Sequence, residues 1–243
     1  MGILRTKTIE PATGSTLTLG ASGDTITVSS DSIKVNTYKD AGGNTLFTSD
    51  GAGTLSSVNS ALAPYGPILI STHTASGSSS IEITSGIDST YDEYMFVFTD
   101  INPATDNTDF GFQASTDGGS NYGVSKVTTS FYSMHNEADS QALVSYYGAY
   151  DYPGNPDTEK QWIAWQIGND SDESCSGIIH IHSPSSTTYV KHFYLRTNTY
   201  GASVEAISHF CAGYWNTTSA INAFRFAMFS GNFDGVIQMY GIK

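Results

Sequence analysis

The sequence predicts an all-β chain: a jelly-roll-like β-sandwich preceded by an extended N-terminal segment of short strands. Three observations carry this. The composition favours strands and turns, with Gly 24, Tyr 15 and Phe 12 in 243 residues. From Ile68 onward, short runs alternate apolar and polar residues with period two, separated by Gly, Pro, Asn, Asp and Ser clusters. No amphipathic helix of useful length occurs. A chain of this length can bury a sizeable core.

The N-terminal segment, 1–63, has its own texture. Ser, Thr, Gly, Asp and Asn dominate from Gly14 to Val58, interrupted by the pairs Leu17/Leu19, Ile26/Val28, Ile33/Val35, Leu46/Phe47 and Leu55/Val58. The first three pairs are spaced i, i+2, as on one face of a strand. Strands with two apolar residues each cannot close a core alone. They can if three copies pack about one axis, so residues 1–63 are expected to be an assembly anchor in a homotrimer; a flexible Ser- and Gly-rich linker is the alternative. Residues 64–67, with Pro64, Gly66 and Pro67, form the expected linker, and 68–243 the sandwich.

In the sandwich, twelve strands are predicted in order near Ile68–Thr74, Ser80–Thr84, Glu93–Asp100, Thr108–Ser115, Val124–Met134, Gln141–Tyr147, Gln161–Gly168, Gly177–His182, Thr188–Thr197, Val204–Tyr214, Ile221–Phe229 and Val236–Ile242. Tyr94/Phe96/Phe98 and Phe110/Phe112/Ala114 give clean inner faces. Many short strands with aromatic inner faces point to two packed sheets. The last two strands read as a closing hairpin around Gly231, Asn232, Asp234 and Gly235. Phe224, Phe226 and Met228 share one face of the first, and Val236, Tyr240 and Ile242 one face of the second.

Charge excludes one class of partner. Net charge is −13 with 10 Lys+Arg, and phosphate contacts need a basic face, so nucleic acid is not expected. No apolar run reaches the length of a membrane span, and membrane insertion is not expected. The start, Met1 to Thr8, lacks the apolar core of a secretory signal, so synthesis in a cytoplasm is expected. Cys175 and Cys211 are too few for a disulfide framework and read as buried thiols.

Several stretches together resemble a family. Ile70-Ser-Thr-His-Thr-Ala-Ser-Gly-Ser78, Gly86-Ile-Asp-Ser-Thr-Tyr-Asp92, Asn102-Pro-Ala-Thr-Asp-Asn107, Ser115-Thr-Asp-Gly-Gly-Ser-Asn-Tyr122 and Ile221-Asn-Ala-Phe-Arg-Phe226 through Tyr240-Gly-Ile242 are similar to virion structural proteins of tailed phages. These are tail-fibre and head-fibre-like proteins of marine and cyanobacterial phages. Gly14-Ser-Thr-Leu-Thr-Leu-Gly-Ala-Ser-Gly-Asp-Thr-Ile26 resembles shaft segments of the same proteins. The resemblance implies a short trimeric tail fibre or spike in a virion, released by lysis. Residues 1–63 would then dock on phage tail or capsid proteins, and the sandwich would meet host-surface glycans. A capsid decoration protein or head fibre is the alternative. A carbohydrate-binding module or glycosidase is the third reading. The resemblance brings no catalytic residues.

Four motifs are candidates for chemistry. Tyr146-Tyr-Gly-Ala-Tyr-Asp-Tyr-Pro-Gly-Asn-Pro-Asp157 places Tyr146, Tyr147, Tyr150 and Tyr152 beside Asp151 and Asn155. Flat rings next to hydrogen-bonding acids and amides suit sugar recognition, and they equally suit a subunit contact. His180 and His182 share a strand face with His192 in the next strand; paired strand histidines can bind a transition metal, and an ordinary polar face is the alternative. Ser115 to Tyr122 matches most of an Asp-box, S-x-D-x-G-x-T-W, read as a structural turn. Asp88 and Asp92 flank a turn without defining an acid–base pair. With no G-x-S-x-G, H-E-x-x-H or phosphate loop, neither an enzyme nor a cofactor is expected.

Overall fold

The computed structural model describes residues 35–52, 55–56, 58, 66–154 and 159–243. They fall into two units, one within Met1–Ala63 and one within Pro64–Lys243. In the first, β1 (Thr37–Lys39), β2 (Thr45–Ser49) and β3 (Leu55–Ser56) form an antiparallel sheet in that order. Tyr38 and Phe47 pack across it with ring centroids 4.8 Å apart. β1 is exposed and β2 half-buried, so these strands enclose no core among the described residues. The predicted strands carrying Leu17/Leu19 and Ile26/Val28 lie outside the described residues, as does Ile33 of the third.

The second unit is an antiparallel β-sandwich of twelve strands. They are β4 (Ile68–Ser78), β5 (Ile81–Ile83), β6 (Glu93–Pro103), β7 (Thr108–Ser115), β8 (Lys126–Asn136), β9 (Ala142–Tyr146), β10 (Gln161–Ile167), β11 (Cys175–His182), β12 (Lys191–Gly201), β13 (Glu205–Trp215), β14 (Ala223–Met228) and β15 (Phe233–Ile242). Each predicted run corresponds to one of them. The larger layer has the order β4–β15–β6–β11–β12–β13–β8–β9, and the smaller β10–β7–β14–β5. The layers join where Ile167 of β10 pairs with Gly201 of β12.

The alternation in sequence becomes the core between the layers. Tyr94, Phe96 and Phe98 from the larger layer face Phe110, Phe112, Phe224 and Phe226 from the smaller, all fully buried. Phe226 is the hub, with centroids 5.2 Å from Phe96, 5.4 Å from Phe98 and 6.2 Å from Phe112. Edge and offset contacts of this kind add to the burial of the rings themselves. Cys175 and Cys211 are free and buried, and burial pushes both thiols up to about 12.

The closing hairpin is corrected by the register. β14 pairs with β5 and β7, whereas β15 pairs with β4 and β6. The turn between them therefore passes from one layer to the other. Both strands bury an apolar face in the same core from opposite sides, which a two-stranded ribbon could not do. The buried face of β15 is Phe233, Ile237 and Met239, not Val236, Tyr240 and Ile242. Register shifts at Phe233/Gly235 and Met239/Tyr240 accompany this placement.

The Asp-box residues form a turn, but at a layer change too, since β7 pairs with β10 and β14 and not with β8. Ser115 Oγ accepts from the Gly119 N–H at 3.0 Å, and Asp117 accepts from the Asn121 N–H at 2.9 Å and its side-chain amide at 2.7 Å. The Asn121 amide and the Ser115 hydroxyl hold the Asp117 carboxyl down at about 2. Gly118 and Gly119 supply the left-handed backbone, with φ of 73° and 94°. Asp88 likewise serves a turn, accepting from the Thr90 N–H at 2.8 Å and the Tyr94 hydroxyl at 3.3 Å.

β10 leaves its neighbour after one pairing, so the Ile163 carbonyl needs other donors. Thr197 Oγ1 donates to it at 2.6 Å and His209 Nδ1 at 3.0 Å. Burial lowers the His209 pKa, which keeps the ring neutral, with its proton on Nδ1 for this bond. Beside it a second apolar cluster, Tyr132, Trp165 and Ile207 with Tyr147 and Trp162, packs under β8 and β13. That cluster lies beneath the candidate site.

Candidate functional site

The outer face of β12, β13 and β8 carries a trough. On β13 the outward residues are Ala206, Ser208, Phe210, Ala212 and Tyr214, small at three of five positions. Their β12 partners are Tyr200, Asn198, Arg196, Tyr194 and His192, larger than Ala206, Ser208 and Ala212 where they face them. Across β13 on the other side stand His135, Ser133, Phe131, Thr129 and Val127 of β8. Small side chains on the middle strand between larger ones on its neighbours leave a depression along β13. The eight steps from Ala206 to Tyr214 make it roughly 27 Å long.

Phe210 divides this trough. One depression, of about 500 Å³, is lined by His182, His192, Tyr194, Ala212, Tyr214 and Thr129, among others. On the other side of Phe210 lie depressions of about 250 Å³, reaching Ser133, Asn198 and Ser208, and about 320 Å³, reaching His135, Glu137 and Tyr200.

The dividing ridge is a row of flat groups across four strands. The Arg196 guanidinium sits 5.0 Å from the Phe210 ring centroid. Phe210 stacks on Phe131 at 4.8 Å with the planes 3° apart. Phe131 is paired in register with Tyr146 of β9, the edge strand. Phe131 is 48% exposed and Tyr146 64%, unusual for large rings on a monomer surface. Tyr194, 47% exposed, stands beside the ridge two residues before Arg196 on the same face.

The tyrosine loop meets this trough through one pair. Tyr146 donates its hydroxyl to Asp151 and lies near Thr129, which lines the larger depression. That bond to the Asp151 carboxylate is the main cause raising the Tyr146 pKa. The other predicted residues go elsewhere. Tyr147 is stacked on Trp165 at 5.5 Å and set edge-on to Tyr132 at 5.8 Å, inside the second cluster. Tyr152 donates its hydroxyl to the Lys160 carbonyl at 2.9 Å, with Lys126 Nζ 3.8 Å from its ring centroid. Tyr150 ends a short 3-10 turn, Gly148–Tyr150, and Asn155 lies outside the described residues.

The histidines flank the trough rather than converge. His180 Nδ1 meets the Glu93 carboxylate, whose other oxygen is 3.6 Å from His182 Nδ1. His180 stacks on Tyr194 at 4.6 Å, and His192 leans against Tyr214 at 5.8 Å. Among the described residues no three His, Cys, Asp or Glu side chains form a group able to hold a metal. Glu93 is the residue that spacing alone did not offer as their partner, because it belongs to β6, which pairs with β11 from far away in sequence.

The sequence reading also passed over Phe131, Tyr194, Arg196 and Phe210. One signal was present: the small residues Ala206, Ser208 and Ala212 at period two in an otherwise bulky strand.

The fold and site define a class of protein: an antiparallel β-sandwich with an exposed aromatic trough on one layer. Comparison with family models, with curated proteins and with solved structures gives no match.

Proposed function

We propose that this chain is a virion structural protein of a tailed phage, a short trimeric fibre or spike whose sandwich binds host-surface glycans through the trough. The observation that carries the glycan reading is the exposed row Arg196–Phe210–Phe131–Tyr146, with depressions on both sides. Rings stack on the C–H faces of sugars, while hydroxyls and amides at the rim, such as Tyr194, Tyr214 and Asn198, meet sugar hydroxyls. An open, long trough suits a linear saccharide bound by several weak contacts. Three such sites per trimer would make adhesion firm without a strong single site. The function is binding, without catalysis.

The test is binding of the full chain to host envelope polysaccharide on a sensor surface. Tyr194→Ala with Phe131→Ala is expected to weaken it about tenfold, since each ring is worth about 0.5–1.5 kcal/mol and tenfold is about 1.4 kcal/mol. Undiminished binding by the double variant would remove the trough from the mechanism.

The virion placement follows from the resemblance of the sequence motifs, and the anchoring role of residues 1–63 from their paired apolar residues. Light scattering is expected to give the full chain three times its 26.0 kDa mass and residues 67–243 a monomer. One observation favours the decoration reading. β9 is an edge strand with its Val144 76% exposed and Leu143 also exposed, so it offers an apolar edge for a neighbouring capsid or tail subunit. A monomeric full chain would put that reading first.

A further inference from the structure

The trough identifies a chemical class of saccharide, an inference that rests on reading the trough as the glycan site. Cations are scarce in this unit: Lys126, Lys160, Lys191, Arg196, Arg225 and Lys243 are all that residues 64–243 hold. Most are committed. Lys126 is buried and donates to the Glu159 carbonyl at 2.8 Å, and Lys191 is buried and donates to the Thr217 carbonyl at 3.2 Å. Arg225 donates to Gln113 Oε1 at 2.6 Å and lies 3.9 Å from Glu82. Lys160 is half-buried over the Phe229 ring at 4.8 Å.

Arg196 differs from all of these. It is exposed, and among the described residues no carboxylate pairs with it. Apart from Lys243 at the C-terminus, it is the exposed cation of the unit, and it stands in the middle of the trough on the ridge. Unpaired surface arginine in a chain of net charge −13 is unexpected, because nearby carboxylates are plentiful. A guanidinium resting on a ring keeps its N–H edges available for a two-point contact with a carboxylate or sulfate. Carboxylates around the trough have partners of their own: Glu93 has His180 and His182, Asp151 has Tyr146, and Glu137 has the Tyr200 hydroxyl at 3.3 Å.

We propose that the trough takes an anionic saccharide, a uronate- or sulfate-bearing chain, with Arg196 receiving the acid group beside the Phe210–Phe131 stack. The chain's overall negative charge then works as a filter. Polyanions are repelled at long range and held only where sugar rings and acid group fit together. An acid group that must sit one ring from the Phe210 stack fixes the register of the saccharide along the trough.

The experiment uses the full chain and three immobilised oligosaccharides: a neutral galactan, an oligogalacturonate and a sulfated galactan. Wild type is expected to bind at least one acidic chain tenfold or more tighter than the neutral one. The better of the two acidic arms says whether carboxylate or sulfate is the group recognised. Arg196→Gln is expected to abolish that preference, weakening acidic binding by a larger factor than neutral binding. Arg196→Lys, which keeps charge without the fork, is expected to restore part of it. Neutral binding equal to or above acidic binding in wild type overturns the acidic-ligand proposal and leaves the trough reading intact. So does an acidic preference that survives Arg196→Gln. Binding to none of the three, with host polysaccharide binding indifferent to Tyr194→Ala and Phe131→Ala, overturns the trough reading and this inference with it.

Discussion

Phe226→Ala is expected to lower the unfolding free energy by about 3–5 kcal/mol. Phe226 is fully buried on β14 and touches rings from both layers, with Phe96 and Phe98 on one side and Phe112 on the other. Removing it deletes the transfer free energy of a ring and leaves a cavity that Phe96, Phe98, Phe112 and Phe110, whose centroid is 6.4 Å away, cannot collapse into without leaving their rotamers. Against a total stability of about 5–15 kcal/mol, such a loss is a large fraction. Denaturant titration measures it as a lower midpoint at unchanged slope. Phe226→Leu, which keeps most of the volume, is expected to cost clearly less. A change below about 1 kcal/mol for the alanine variant would mean that the layers do not pack around this ring.

Ala212→Trp is expected to abolish saccharide binding, by at least a hundredfold, with the fold retained. Ala212 is exposed on the outer face of β13, between Tyr194 on β12 and Thr129 on β8, and it forms the floor of the larger depression. An indole placed there fills the space a sugar ring would take. The position tolerates it, because an aromatic side chain on an exposed strand face between two other strands is locally favourable. A hundredfold loss corresponds to about 2.8 kcal/mol. The measurement is surface binding together with a thermal melt. Wild-type affinity in Ala212→Trp would show that the ligand avoids this depression. A lowered melting temperature would direct the comparison to Ala212→Val, which narrows the floor without reaching across it and is expected to weaken binding by a smaller factor.

The two substitutions probe an inner face of the smaller layer and the outer face of the larger one, and the sequence spoke unevenly about inner and outer faces. Inner faces were legible. Tyr94/Phe96/Phe98 and Phe110/Phe112/Ala114 announce themselves by period two because one side of each strand must leave water. All twelve strands of the sandwich could be located for that reason, and the Asp117 turn was readable because its bonds are made within a few residues. Outer faces were not legible as a site. Arg196, Phe210 and Phe131 lie far apart in the chain and become one ridge only through the order β12–β13–β8.

The tyrosine loop shows the same limit at closer range. Tyr146, Tyr147 and Tyr152 look alike in sequence, yet Tyr146 points out toward Asp151, while Tyr147 enters the cluster with Trp165. Adjacent residues on a strand face opposite ways, and which way is out depends on what covers the strand. The closing segment makes the point for topology. Its two amphipathic strands and glycine-rich turn suit a hairpin locally, and only the partners waiting on each layer send β14 and β15 to opposite sides.

By itself, then, the sequence determined the all-β class, the strand positions and the aromatic core, since these follow from local periodicity and the free energy of burying apolar surface. The tertiary structure alone decided which strands are neighbours, and hence where the trough lies, what its ridge is made of and that Arg196 stands in it unpaired. Pairing order is set by the sum of many long-range contacts, and no short stretch of residues carries that sum.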